Sequence, residues 1–138
     1  MNKARKPKSA SMHPVLRAQL RSKWIGQSVD AQIHALMGDN KELLLAYGSV
    51  LMSVASACAI YTKLPETDFN FRVIRGAINA LDTLRSKPSI TYMDRGSIYA
   101  GLLASQTLIE TTPIEIVSEA AYIYDQMNQA LEKQHEVR

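Results

Sequence analysis

The chain has 138 residues, of which 46% are hydrophobic and 21% are charged, and its formal net charge is +3. That is enough material for one domain with a buried core, and the composition is not that of a fully disordered chain. A single cysteine excludes a disulfide scaffold and a paired-cysteine metal site, and no glycine-rich phosphate-binding motif occurs in the sequence.

The N-terminal segment differs from the rest of the chain in charge. Residues 1–29 contain seven basic side chains and no acidic one, whereas the remaining 109 residues carry nine basic and thirteen acidic side chains, a net charge of −4. Residues 1–12 are also rich in lysine, serine and alanine, which predicts a disordered basic arm ahead of a helical domain over residues 13–135. Such a basic head is typical of segments that contact nucleic acid, an acidic partner or a membrane surface, and a solvated tail has the same composition.

Two short helices are predicted to lead the domain. Pro14 is typical of a first helical position, and Gly26 is expected to end this helix. Ser28 is expected to cap a second short helix that ends at Gly38. The side chains predicted to face the core from this second helix are Val29, Ile33, Leu36 and Met37.

A long helix is predicted over residues 39–63. Its residues 43–62 are twenty uncharged residues in a row, which is long enough to cross a bilayer. The run contains four Ser/Thr residues and one glycine, and the neighbouring helices carry charged faces. We therefore expect a central helix in a cytoplasmic bundle rather than a membrane span. Cys58 lies within it among small and apolar residues, which predicts a buried packing thiol rather than a nucleophile.

Three more long helices follow along the chain. The first spans about residues 68–86, and the second, about 91–110, begins with a capping-box pattern at Thr91 and Asp94. The last spans about 113–134 and starts with a proline. The side chains predicted to face the core from this last helix are Val117, Ala120, Ala121, Tyr124, Met127 and Leu131.

The fold class predicted from these elements is all-α. No segment alternates in polarity as a strand does, and the connections are short, which favours antiparallel neighbours. We expect a single-domain antiparallel bundle of four long helices preceded by two short ones. Small residues on two helices indicate a close approach of their backbones. The two faces expected to meet, within one chain or across a dimer, are Ser49, Ser53 and Ala57 on one helix and Ser97, Gly101 and Ser105 on the other.

No catalytic or metal-binding pattern is complete in the sequence. The three histidines lie in separate segments, and no HExxH motif occurs. Glu115 and Glu119 are one helical turn apart, but no such pair recurs on another helix, so they are expected to compensate the helix dipole. We expect no enzymatic activity, no cofactor and no metal. A small polar site around residues 94–97 is the basis of an alternative, a small enzyme with an unrecognised site.

These features favour a non-enzymatic helical module that binds another protein, as an adaptor, inhibitor or regulator, and that forms a homodimer. Its length, basic leader and lack of catalytic motifs resemble those of small accessory proteins of bacteria and mobile elements. The alternative is a nucleic-acid-associated protein that contacts phosphates without reading sequence. The residues expected to make contacts are Lys3, Arg5, Lys6, Lys8, Arg17, Arg21, Lys23 and Trp24 towards the N-terminus, and Arg72, Arg75 and Asn79 on helix 68–86.

Overall fold

A computed structural model describes residues 12–137 of the chain. This part of the chain contains five α-helices and no strand, so the all-α class predicted from the sequence is confirmed. The helices are α1 (Pro14–Met37), α2 (Lys41–Tyr61), α3 (Phe69–Leu84), α4 (Tyr92–Thr111) and α5 (Ile114–Val137). The predicted arm, apart from its last residue, lies outside the described residues.

α1 is one continuous helix where the sequence predicts two short ones. The predicted break at Gly26 is wrong: this glycine is exposed inside α1, and no heavy atom outside the local helix lies within 4 Å of where its Cβ would be. A glycine costs a helix about 1 kcal/mol relative to alanine. Packing on either side of it offsets that cost, since Trp24 and Ser28 are buried on the same face. Ser28 is therefore an interior residue and not a cap. Gly38 does follow the end of α1, and its N–H donates to the carbonyl of His34.

In its C-terminal half, α1 packs against the core with small side chains. Ala31 and Ala35 are fully buried, while the stripe predicted to face the core is exposed, namely Val29, Ile33, Leu36 and Met37. That prediction is wrong because α4 approaches α1 closely. The guanidinium of Arg95 on α4 donates to the carbonyls of Ala35 and Gly38 at 3.0 and 2.8 Å. The larger apolar side chains of this half of α1 are consequently left on its outer face.

α2 has a central position in the fold, since it contacts each of the other four helices. Asn40 sets its first turn, because its side chain accepts a hydrogen bond from the N–H of Leu43 at 3.0 Å. Among the described helices, α2 is the one that is long and apolar enough to cross a membrane. Its most apolar window has a mean hydropathy of 2.0, and 44% of that window is buried inside the fold.

α3 packs closely against α4 at a glycine. A Cβ built on Gly101 of α4 would lie 2.1 Å from the Cβ of Ala77 on α3 and 3.0 Å from Cε of Met52 on α2. Glycine is needed here because any side chain would collide with α3. The sequence predicts that the small face of α4 meets the small face of α2, whereas Gly101 meets Ala77 of α3 and the larger Met52 of α2.

The other small residues of those two faces have separate environments. Ser97 is exposed, and Ser105 is buried with its hydroxyl donating to the carbonyl of Gly101. Ser49 accepts a hydrogen bond from Arg85 beyond α3. Ser53 and Ala57 are half-buried on α2. These positions do not form one continuous helix–helix seam.

The start of α4 is held by a buried carboxylate. The hydroxyl of Thr91 accepts from the N–H of Asp94 at 3.1 Å, and the Asp94 carboxylate accepts from the N–H of Thr91 at 3.2 Å, so the predicted capping box is confirmed. The ammonium group of Lys87 lies 3.0 Å from the same carboxylate. Burial acts to raise the pKa of Asp94, but the hydrogen bonds from Lys87 and Thr91 outweigh it and hold this pKa below its ordinary value.

Candidate interaction surface

An open groove of about 1010 Å³ lies between the C-terminal half of α2 and the N-terminal half of α5. Its walls are largely apolar, with Ala57 and Tyr61 from α2 facing Ile116, Ala120 and Ile123 from α5. Met12, just before α1, also lines it. Tyr61 and Ile123 are exposed although both are large and apolar. The groove is therefore an apolar surface that the described part of the chain leaves uncovered.

The C-terminal half of α5 extends beyond the other helices. Between Ile114 and Gln134 of α5, Ala120 is the last buried residue, and every side chain from Asp125 to Gln134 is exposed. Met127 and Leu131 are 62% and 55% exposed, so the prediction that they face the core is wrong. The amphipathic pattern of α5 is longer than the core it packs against.

The exposed apolar residues of α5 form one face with the groove. At 3.6 residues per turn, positions 116, 120, 123, 127 and 131 lie on the same side of a helix. We call this set the α5 stripe, and its members are Ile116, Ala120, Ile123, Met127 and Leu131. Its first three residues line the groove and its last two continue past it. The stripe is about 22 Å long, from the rise of 1.5 Å per residue, and its exposed part runs from Ile123 to Leu131.

Two polar atoms at the groove lack a hydrogen-bond partner among residues 12–137. They are Oε2 of Glu115 and Oγ of Ser118, and both side chains line the groove. Oε2 of Glu115 lies 2.5 Å from Nη2 of Arg17, so the two groups are an ion pair without an aligned hydrogen bond. Glu119, one turn further along α5, is exposed at the same groove. The apolar groove therefore has an acidic edge.

Arg21, predicted to contact a partner, binds the end of α4 instead. Its guanidinium donates to the carbonyls of Ile109 and Thr112 at 2.6 and 3.0 Å. These carbonyls belong to the C-terminal turn of a helix, where a cation is stabilised by the unpaired carbonyl groups. Arg95, early in α4, contacts the end of α1 in the same way, so α1 and α4 run antiparallel.

The remaining N-terminal contact candidates fall into three groups. Trp24 is 5% exposed and packs in the core, so it is not available to a partner. Lys23 is exposed, and Arg17 is half-exposed but paired with Glu115. Lys3, Arg5, Lys6 and Lys8 lie outside the described residues.

The predicted contact face of α3 is exposed. Arg72 and Asn79 point to solvent, and Arg75 lies 3.5 Å from Glu66 with its guanidinium 5.0 Å from the centre of the Phe71 ring. Exposed pairs of this kind contribute about 0–1 kcal/mol to stability. The face is polar and solvated apart from Phe69, which lies one turn before Arg72 and is 74% exposed.

No group of three or more His, Cys, Asp or Glu side chains in residues 12–137 is placed to hold a metal ion. Cys58 is fully buried, as the sequence predicts. Burial raises the pKa of its thiol above the ordinary value, although Thr112 and Arg21 act in the opposite direction. Asp94, at the alternative polar site, is occupied by its cap and by Lys87.

No protein-family model matches this sequence, and the comparisons with curated proteins and with solved structures found no match either. The function must therefore be inferred from the surface itself. Sequence reasoning missed the groove, although one signal for it was present. α5 has 24 residues against 21 in α2, its main neighbour, and it keeps its apolar period to Leu131, where its side chains are exposed.

Proposed function

We propose that this chain is a non-enzymatic helical module that binds another protein through the groove and the α5 stripe. The observation that carries the proposal is the uncovered half of α5, whose apolar residues continue the wall of an apolar groove. Exposed apolar surface with a polar rim is typical of protein interaction sites. Ile123 and Tyr61 are the anchors that a partner would bury, and Glu119 lies at the rim.

A matched pair of substitutions tests this proposal. Ile123 on the α5 stripe is 49% exposed, and Ile33 on the outer face of α1 is 48% exposed, so an aspartate at either position removes the same amount of apolar surface. Tagged wild-type, Ile123→Asp and Ile33→Asp proteins are used as bait in extract of the native host. We expect a protein that is retained by the wild type and by Ile33→Asp but lost with Ile123→Asp, and that binds again when both purified components are mixed. Equal retention by all three baits would contradict the proposal.

Association with nucleic acid is the second candidate, and it rests on the charge of +7 in residues 1–29. Two of these seven side chains, Arg17 and Arg21, contact groups within the chain, which leaves five for phosphates. Five contacts predict that the logarithm of the duplex affinity falls with the logarithm of salt concentration with a slope of about −4.5. Deletion of residues 1–8 removes four of the five and flattens the slope to about −1. No binding at low salt would exclude this function.

A further inference from the structure

We propose that the groove and the α5 stripe are covered by α5 of a second copy of this chain, packed antiparallel against the first. This inference rests on the proposed function and names the partner. The stripe and the groove belong to the same helix face, so each copy supplies both the surface to be covered and the helix that covers it. An interaction of this kind is closed by a twofold axis and buries both copies of the surface at once.

The charges beside the α5 stripe determine the direction of pairing. Glu115 and Glu119 flank its N-terminal part, and Lys133 is eighteen residues, or five helical turns, from Glu115, so it lies on the same edge near the other end. A parallel second copy would place this edge against the opposite, uncharged edge with Tyr124 and Asn128, and would leave both glutamates without a cation. An antiparallel copy brings the Lys133 ammonium to the turn that carries both glutamates, and antiparallel helix dipoles also attract.

The register is set by placing Lys133 of the second copy midway between Glu115 and Glu119. This puts the twofold axis between Ile123 and Met127. Each Ile123 then meets Met127 of the other copy, and Leu131 of the second copy lies over Ile116 and Ala120, at the groove. Lys133 of the second copy comes opposite position 117, one half-turn from each glutamate. Its three N–H donors reach the edge of the helix where Glu119 is exposed.

Sedimentation equilibrium of the full chain tests the pairing. The wild type is expected to be a dimer of twice 15.4 kDa that dissociates on dilution. Ile123→Asp should raise the dimer dissociation constant at least about tenfold, because it places a charge at the centre of the interface. Ile33→Asp, with the same exposure, should leave it unchanged. A wild type that is monomeric at about 200 µM, or a dimer that Ile33→Asp dissociates and Ile123→Asp does not, would overturn the proposal.

Thiol cross-linking tests the antiparallel direction. Met127→Cys and Leu131→Cys replace side chains of similar exposure. With the axis between 123 and 127, the two copies of position 127 are about 6 Å apart along the helices and the two copies of position 131 about 18 Å apart. A short bismaleimide should therefore link Met127→Cys dimers and spare Leu131→Cys dimers. Equal yields, as in a parallel pair, would overturn the direction. The wild type is the control, since its cysteine is buried.

The two proposals fail in different ways. If the wild type is monomeric but Ile123→Asp still releases a host protein that Ile33→Asp retains, the proposal that the partner is a second copy is wrong. The proposal that the groove and the α5 stripe bind another protein is then supported. If Ile123→Asp changes neither the oligomeric state nor the retained proteins, both proposals are wrong. A dimer that is lost with Ile123→Asp and cross-links through position 127 supports both.

Discussion

Gly101 of α4 and Ala77 of α3 lie so close that a Cβ on the glycine would be 2.1 Å from the alanine Cβ. Gly101→Ala should therefore destabilise the fold by about 2–3 kcal/mol, since one added carbon pushes α3 from α4. Gly96→Ala is the control: no heavy atom outside the local helix lies within 4 Å of its Cβ position, so it should stabilise α4 by about 0.5–1 kcal/mol. Urea denaturation measures both changes. Ala77→Gly, combined with Gly101→Ala, should restore part of the lost free energy of unfolding. If it does not, the contact between these two residues is not the cause of the loss.

The pKa of Asp94 predicts a loss of stability in acid. Because folding lowers this pKa, the carboxylate contributes stability above its unfolded pKa, and the contribution disappears as the pH falls through the folded pKa. Asp94→Asn should cost about 1 kcal/mol at pH 7 by weakening the cap and the contact with Lys87. The difference from the wild type should shrink below about pH 4. Asp82→Asn, an exposed control, should show almost no effect. A pH-independent cost of Asp94→Asn would contradict this account.

Lys63 follows α2 with a positive φ of 61°. The N–H groups of Lys63 and Leu64 donate back to the carbonyls of Ile60 and Ala59, as at helix ends that favour glycine. Lys63→Gly should stabilise the protein by about 0.5–1 kcal/mol, because glycine adopts this conformation without strain. Thermal unfolding measures the change, and Lys63→Ala should give no gain. A lower melting temperature for the glycine variant would show that strain at this position is absent.

Arg21 should be a structural residue rather than a contact for an external partner. Arg21→Ala leaves the carbonyls of Ile109 and Thr112 without their donors and should cost about 1–2 kcal/mol. Lys23→Ala, an exposed neighbour, should change stability by less than about 0.5 kcal/mol. The urea midpoints of the two variants give the comparison. Equal midpoints would mean that the Arg21 contacts add nothing to the fold.

Local signals in the sequence predicted the helix ends well. The capping box at Thr91 and Asp94 and the end of α1 before Gly38 depend on hydrogen bonds within a few residues, so short patterns carry them. Gly26 shows the limit of such signals. Its propensity argues for a break, but burial on both sides of it keeps α1 continuous.

Long-range packing is what the sequence left open. The choice between Ala31 and Ile33 as the inward face of α1 depends on how close α4 comes, and periodicity alone favoured the larger side chain. The sequence predicted that Gly101 allows a close approach of two helices. It did not show that the helix in question is α3, because that depends on how α2, α3 and α4 are arranged together. Met127 and Leu131 fit a core-facing stripe, but no neighbouring helix extends far enough to cover them.

Amide hydrogen exchange over residues 124–134 tests the account most directly. An unsupported helix of this length is marginal in water. If α5 pairs with α5 of a second copy, protection of these amides should rise at least about tenfold between dilute and concentrated protein, while the amides of α3 stay constant. Ile123→Asp should abolish the increase. Exchange that is equally fast at every concentration would contradict the claim that the α5 stripe is an interaction surface between copies of this chain.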